Sequence, residues 1–223
     1  MAFDVLPRVD AIWRHPTYQA AMQQIERAER ERVYCRHGFD HCLDVARIAW
    51  IAVLEEGLGL PRDLVYAAAL LHDVGRAAEY ACGEPHDAAS VRIARDIMGT
   101  VEEDVAFSAQ ERNAICYAIA GHRGSGASED AASDPSTDHA GIRTHAGAQS
   151  GAEARGHAGT PDRACPMDHP CAPDDVARVP VSCAEQLVDV LRRADNLSRP
   201  CYACAAQARC YWPRERKNLS IRV

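Results

Sequence analysis

Asp63-Leu-Val-Tyr-Ala-Ala-Ala-Leu-Leu-His-Asp-Val-Gly75 ends an almost wholly apolar run with an imidazole and a carboxylate side by side, His72 and Asp73. Alanine and leucine are strong helix formers, Pro61 suits a helix start, and Gly75 suits a helix end. The run therefore reads as a buried helix with a polar pair at its mouth. Burying such a pair is costly unless it is paired or bound to a metal ion. The plain alternative is that His72 and Asp73 cap the last turn and face water. The rest of the chain decides between them.

Upstream, residues 10 to 33 read as helical, with Asp10 capping a short first turn and Pro16 opening the next helix. Tyr18, Met22 and Ile25 fall at helical spacing, and Gln23, Gln24, Glu26, Arg27, Glu29 and Arg30 read as a solvated face. Gly38 breaks the pattern and a helix is expected from about Asp40, with Leu43, Val45, Ile48, Ala49, Ile51, Ala52 and Leu54 on its apolar face and His41 in its first turn. Downstream, Arg76 to Pro85 reads as a loop, and His86 opens a helix that Gly99 ends. Ser108 and Glu111 form a capping-box pattern before an apolar helix that ends at Gly121-His122-Arg123.

Between residues 124 and 179 the composition changes. Ile142 and Met167 are the only large aliphatic or aromatic residues from 124 to 175. Such a stretch buries too little apolar surface to offset its ordering entropy, so a disordered low-complexity insertion is expected. Its His139, His145, His157, His169, Cys165 and Cys171 read as linker residues. Helical pattern returns with a second capping box, Ser182 and Glu185, and a helix that carries Asp195 on the face of Leu191 and Val188. The tail holds Cys201, Cys204 and Cys210 in a C-x2-C-x5-C spacing. Three thiolates are one short of a four-ligand zinc site; Cys183, Cys82 or Cys35 could complete it, or the thiols are simply reduced and packed.

The chain thus reads as a single all-α domain over 1–223: a helical core at 10–123 and 180–200, the insertion at 124–179, and the cysteine tail at 201–223. Net charge is −7, which gives no basic surface for nucleic acid. No segment has the apolar length of a membrane span or a signal peptide, so a cytoplasmic location is expected. Ten cysteines in such a chain point to metal binding or buried thiols rather than a disulfide framework.

His41, His72, Asp73, His86, His122 and Asp195 each lie on or beside an otherwise apolar helix, and all lie outside the insertion. One shared metal centre accounts for them together. Imidazole and carboxylate ligands suit iron, manganese or another first-row metal.

This H…HD…D order, in His41-x3-Val45-Ala46, Leu70-Leu71-His72-Asp73-Val74-Gly75 and Ala194-Asp195, resembles the HD-domain superfamily of metal-dependent phosphohydrolases. The further histidines, in Glu84-Pro85-His86 and Ala120-Gly121-His122, resemble its two-metal branch, which includes bacterial diadenosine tetraphosphatase-like enzymes. The stretches around His37 to Ala49 and from Asp195 to Asn218 are similar to uncharacterised bacterial HD proteins with a cysteine-containing tail. The resemblance implies a helical bundle around two divalent ions. His41, His72, Asp73 and Asp195 would hold one. Asp73 would bridge to a second held by His86 and His122. A hydroxide between the ions is the implied nucleophile. Arg76 and Arg123 are candidate phosphate clamps, and His37 is a candidate positioning group or proton donor. The implied function is hydrolysis of a phosphate ester or anhydride in a small phosphorylated metabolite or nucleotide. Two other classes remain open: a di-iron oxygenase with the same ligands, and a non-enzymatic metal-binding module with zinc at the cysteine tail. Lys217, the single lysine, leaves the core without a lysine to bind an oxygenase substrate.

Overall fold

The computed structural model describes residues 5–123 and 181–221. Among the described residues the regular elements are helices, with no strand, as the all-α reading expects. They are α1 (Pro7–Arg14), α2 (Pro16–Ala28), α3 (Phe39–Glu55), α4 (Arg62–Leu71), α5 (Arg76–Cys82), α6 (His86–Thr100), α7 (Ala109–Gly121) and α8 (Val181–Leu197). Short 3-10 turns follow α6 and α8. No helix among the described residues is long and apolar enough to cross a membrane. The expected insertion, with its four histidines and two cysteines, lies outside the described residues.

α4 is the central element. It buries Leu64, Val65, Ala67, Ala68, Ala69, Leu70 and Leu71, so it is apolar almost all round. α3 packs on it, and α8 packs on α3 and α7; α6 lies against α7, and α1 closes the far side of α4. Small residues let these helices approach closely: Ala46 and Ala49 on α3, Ala67 to Ala69 on α4, Ala94 on α6 and Ala118 on α7 are all buried. Tyr18, Met22 and Ile25 are buried on α2, as their spacing predicts.

Several boundaries differ from the sequence reading. Asp10 is not a cap; α1 begins at Pro7, and Asp10 pairs with Arg14 at 2.8 Å one turn on. The buried face of α3 is Cys42, Val45, Ala46, Ala49 and Val53, while Leu54 is exposed. α6 runs through Gly99 to Thr100. Ser182 lies within α8 rather than before it, whereas the Ser108–Glu111 capping box is present, with Ser108 Oγ accepting from Glu111 N at 3.3 Å.

The main correction concerns Gly75. The regular turns of α4 stop at Leu71, and Gly75 is right-handed (φ −70°), so it ends no helix. Arg76 to Cys82, expected as a loop, is α5, which ends instead at Gly83 with φ 76°. The chain turns sharply at His72–Gly75, and α6 crosses there. A Cβ on Gly75 would fall on the His86 carbonyl and the Ser90 backbone nitrogen. Gly75 N donates to Ser90 Oγ at 2.8 Å, which fixes the crossing.

Arg8 ties three helices together. It bonds Asp63 of α4 at 2.7 Å and Glu111 of α7 at 2.6 Å, and its guanidinium lies 3.8 Å from the centroid of buried Phe107. These groups are only partly exposed, so the network is screened less than a surface pair. Arg8→Met is expected to cost about 1–2 kcal/mol in urea denaturation without changing the far-ultraviolet spectrum. A change within error would show that the network is not coupled to folding.

Candidate metal centre

The four helix ends and the turn between α4 and α5 bring His41, His72, Asp73, His86, His122 and Asp195 to one place. His41 comes from the first turn of α3, His72 and Asp73 from the turn after α4, and His86 from the start of α6. His122 directly follows α7, and Asp195 is on the last turns of α8. His72, Asp73, His86 and His122 are buried, Asp73 at 2% exposure, while Asp195 lies at the rim with its side chain 36% exposed.

The ligand atoms form two groups, His41–His72–Asp73 and Asp73–His86–His122, each with its atoms within 4.8 Å of one another. Asp73 belongs to both, and its two oxygens divide between them. Oδ2 lies 3.6 Å from His41 Nε2 and 3.3 Å from His72 Nε2, whereas Oδ1 lies 3.6 Å from His86 Nε2. Asp195 Oδ1 joins the first group, at 3.4 Å from His41 Nε2 and 3.9 Å from His72 Nε2.

Each ring is oriented through its other nitrogen. Nδ1 of His72 and His122 donates to the backbone carbonyls of Ala69 (2.7 Å) and Ile119 (2.5 Å), each three residues earlier on the same helix end. His86 Nδ1 faces Glu79 Oε1 at 3.2 Å. Ser198 Oγ donates to the Asp195 carbonyl at 2.7 Å, so it can accept from His41 Nδ1 at 3.2 Å. For His72, His86 and His122 these bonds place the proton on Nδ1 and leave Nε2 as a bare acceptor. Nε2 of His72 and His86 is buried and makes no hydrogen bond. Such groups are rare in a folded protein unless something binds them. The donor set of imidazoles and carboxylates suits a first-row divalent ion, so the residues fit the metal that their order along the chain implies.

Electrostatics also favour a cation. Asp73 is held well below the usual carboxylate range: burial opposes ionisation, but Arg76 and the surrounding histidines outweigh it. Burial likewise opposes the Asp195 carboxylate and is overcome by His41 and His72. His41 is pushed up to about 9; burial lowers it, and the Asp195 and Asp73 carboxylates raise it further. Without an ion, His41 therefore carries a proton at neutral pH. Because its folded value lies above the ordinary 6.5, that proton stabilises the metal-free fold below about 6.5, and the contribution is lost as pH rises through about 9. A metal must displace this proton. Metal affinity is expected to rise with pH up to about 9, by about tenfold per unit for the one proton from His41. Metal titrations at several pH values check this, and His41→Gln should flatten the slope. A pH-independent affinity would contradict it.

Arg76 does not project freely into the centre. Its Nε donates to Asp73 Oδ1 at 3.0 Å and its Nη1 to Glu79 at 3.3 Å, so it holds Asp73 in place. Arg123 is exposed and lies close enough to Glu79 to favour that carboxylate. His37 sits beside His41, with ring centroids 5.6 Å apart.

Glu29 is the residue the sequence reading missed. Its spacing puts it on a solvated face, yet it is 3% exposed. It accepts from His37 N (2.7 Å), pairs with His37 Nδ1 (2.5 Å) and accepts from Tyr80 OH (2.5 Å). Burial would raise its pKa; the His37 and Tyr80 bonds instead bring it down to about 2. Burial, aided by Arg76, lowers His37 to about 4. At neutral pH the pair is therefore a carboxylate and a neutral imidazole. Its partners come from 8 and 51 residues away, so only His37, within one turn of His41, hinted at it.

A shallow depression on the outside of α3 and α8, lined by Glu56, Leu58, Asp189 and Arg193, contains none of the centre's residues.

A family model described as HD domain matches residues 38–199, from the cap of α3 to the turn beyond Asp195. An uncharacterised protein of Clostridium beijerinckii (strain ATCC 51743 / NCIMB 8052) is 26% identical over 216 residues, covering 97% of this chain and 99% of its own. No solved structure matches. The matched span takes in most of the chain and the helices that carry all six candidate histidine and aspartate ligands, and on that basis the chain belongs to the HD domain family, whose members are commonly metal-dependent hydrolases.

Proposed function

We propose that this protein is a phosphohydrolase with two divalent ions, cleaving a phosphate ester or anhydride in a small metabolite, with a nucleotide as the leading substrate class. The observation that supports this reading best is the division of Asp73: one carboxylate oxygen faces each histidine group. His41, His72, Asp73 and Asp195 would hold one ion, and Asp73, His86 and His122 the other. Two such ions supply polarisation of the phosphoryl oxygens and a water acidified towards neutrality.

The chain's own residues supply the rest. Arg76 fixes the bridging carboxylate from behind. Arg123, exposed and near Glu79, would bind a substrate phosphate as it arrives. His37, neutral and with its Nδ1 directed to Glu29, leaves Nε2 without a proton. It suits a group that accepts a hydrogen bond from water or takes up a proton. Lys217 is engaged with the Gln207 and Cys210 carbonyls in the tail, so it takes no part at the centre.

The experiment is phosphate release from a panel of nucleotides and dinucleoside polyphosphates, with Mn or Fe(II) added to metal-stripped protein and oxygen uptake followed in parallel. Release that requires added metal is the expected result. Oxygen consumption without phosphate release would replace the reading with oxygenation. Neither activity, with melting temperature the only property that responds to metal, would leave a structural module.

A further inference from the structure

After α8 the described chain has only short 3-10 turns, and from Arg199 onward it buries just Arg199, Cys201, Ala206 and Asn218. That is too little apolar surface to hold twenty-odd residues in place; small irregular segments of this kind usually depend on a disulfide or a metal. Yet the tail is well tied back. Asn218 Nδ2 donates to the carbonyls of Asn196 (2.6 Å) and Arg199 (3.0 Å) at the end of α8. Arg199 stacks over Trp212, 4.6 Å from its centroid.

The segment between α2 and α3 meets this tail. Tyr34 packs edge-on against Tyr211, with centroids 5.7 Å apart, and its hydroxyl donates to Arg209 O at 3.5 Å. Arg32 Nε donates to Cys35 O at 2.7 Å and fixes the Cys35 backbone. Cys35 is thereby held beside the tail, next to Arg209 and Tyr211, which flank Cys210. Cys201 is buried, the other three are half-buried, and all four are free thiols. Cys201 and Cys204 are joined by a tight turn, Cys204 N to Cys201 O at 3.3 Å, and Gln207 Nε2 braces the Cys201 carbonyl at 2.8 Å. Cys183, the other possible fourth ligand on α8, instead packs against the hydrophobic core.

We propose that Cys35, Cys201, Cys204 and Cys210 form a structural zinc site, independent of the histidine–aspartate centre, that staples the α2–α3 segment to the tail. Four cysteine ligands, two of them in a C-x2-C turn, make a closed tetrahedral site that leaves no position for substrate. The Cys35 thiol lies within electrostatic reach of the Cys201, Cys204 and Cys210 thiols and of Arg199. Zinc would take the four as thiolates and release their protons. Arg199, and Lys217 with its bond to the Cys210 carbonyl (3.1 Å), supply positive charge beside a site that would be net negative. Among the described residues no three of these sulfurs gather within the 4.8 Å that joins the ligands of the histidine centre, so the ion would have to draw them inward. Its consequence reaches that centre. Cys35 lies two residues before His37, and Cys201 follows the helix that carries Asp195, so the staple would hold both flanks of the site.

The test is cobalt(II) titration of the reduced full-length chain, read by absorption. The expected result is thiolate-to-cobalt charge transfer with the intense ligand-field bands of tetrahedral coordination. Cys35→Ser and Cys204→Ser should each abolish it, whereas Asp73→Asn should leave it intact. Because a cysteine variant can fail to fold, the wild-type chain is also alkylated with and without zinc and mapped by mass spectrometry. Zinc should protect Cys35, Cys201, Cys204 and Cys210 together and leave Cys183 unaffected. No charge-transfer band, a band that survives Cys35→Ser, or protection that omits Cys35 would overturn the proposal. A Cys35 disulfide with the tail in zinc-free native protein would do the same. None of these outcomes depends on phosphohydrolase activity, so this site and the proposed reaction stand or fall separately.

Discussion

Asp73→Asn is expected to abolish metal-dependent turnover, by at least about 10³-fold, and to lower the metal content of purified protein. The substitution keeps the shape and removes one negative charge. It acts on the side chain whose Oδ2 faces His41 and His72 and whose Oδ1 faces His86. An amide offers one oxygen and no charge, so it cannot serve both groups. It also weakens the hold of Arg76, now 3.0 Å from Oδ1, in a place where an unpaired guanidinium is costly. Glu79 still pairs with Arg76, so the fold should survive. Metal analysis beside the activity assay separates the two effects. Asp195→Asn, at the rim and facing only the first group, should cost less and leave the second ion in place. Equal losses from the two variants would argue against a bridging role for Asp73.

Gly75→Ala is expected to be the most destabilising single methyl group that can be added near the site. The new Cβ would meet backbone atoms of His86 and Ser90, which cannot rotate away as a flexible side chain can. α6 must shift, and the Gly75 N to Ser90 Oγ bond of 2.8 Å would be disturbed with it. A loss of about 3–4 kcal/mol is expected, or a fall in Tm of roughly 10 °C for a domain of this size. Since His86 opens α6, metal affinity should fall as well. Gly99→Ala, where an added Cβ meets nothing within 4 Å, is the control and should be neutral or slightly stabilising. Equal thermal shifts in the two variants would show that the close crossing of α6 is not a constraint on the fold.

Much of this protein was legible from its sequence. The helices could be read from apolar periodicity because helix pattern and capping are local, as the Ser108–Glu111 box shows. The six candidate metal ligands could be named because each is a polar group at the end of an apolar helix, where an isolated charge has no local reason to be. What failed was local evidence used on non-local questions. Gly75 read as a helix stop by composition, but its reason is a backbone crossing with residues 86 and 90. Arg76 to Cys82 read as a loop because the apolar pattern breaks at His72–Gly75, though its own residues form a helix readily. Glu29 read as solvated because helical spacing cannot tell which charged residue of a polar face meets a buried histidine and tyrosine. By itself, then, the sequence determined the helical class and the types and order of the candidate ligands, all of which follow from interactions within a few residues. The division of Asp73 between two groups, the gripping of His37 by Glu29 and the approach of Cys35 to the tail were decided only by the tertiary structure. Each depends on groups far apart in the chain, and only packing sets the distance between them.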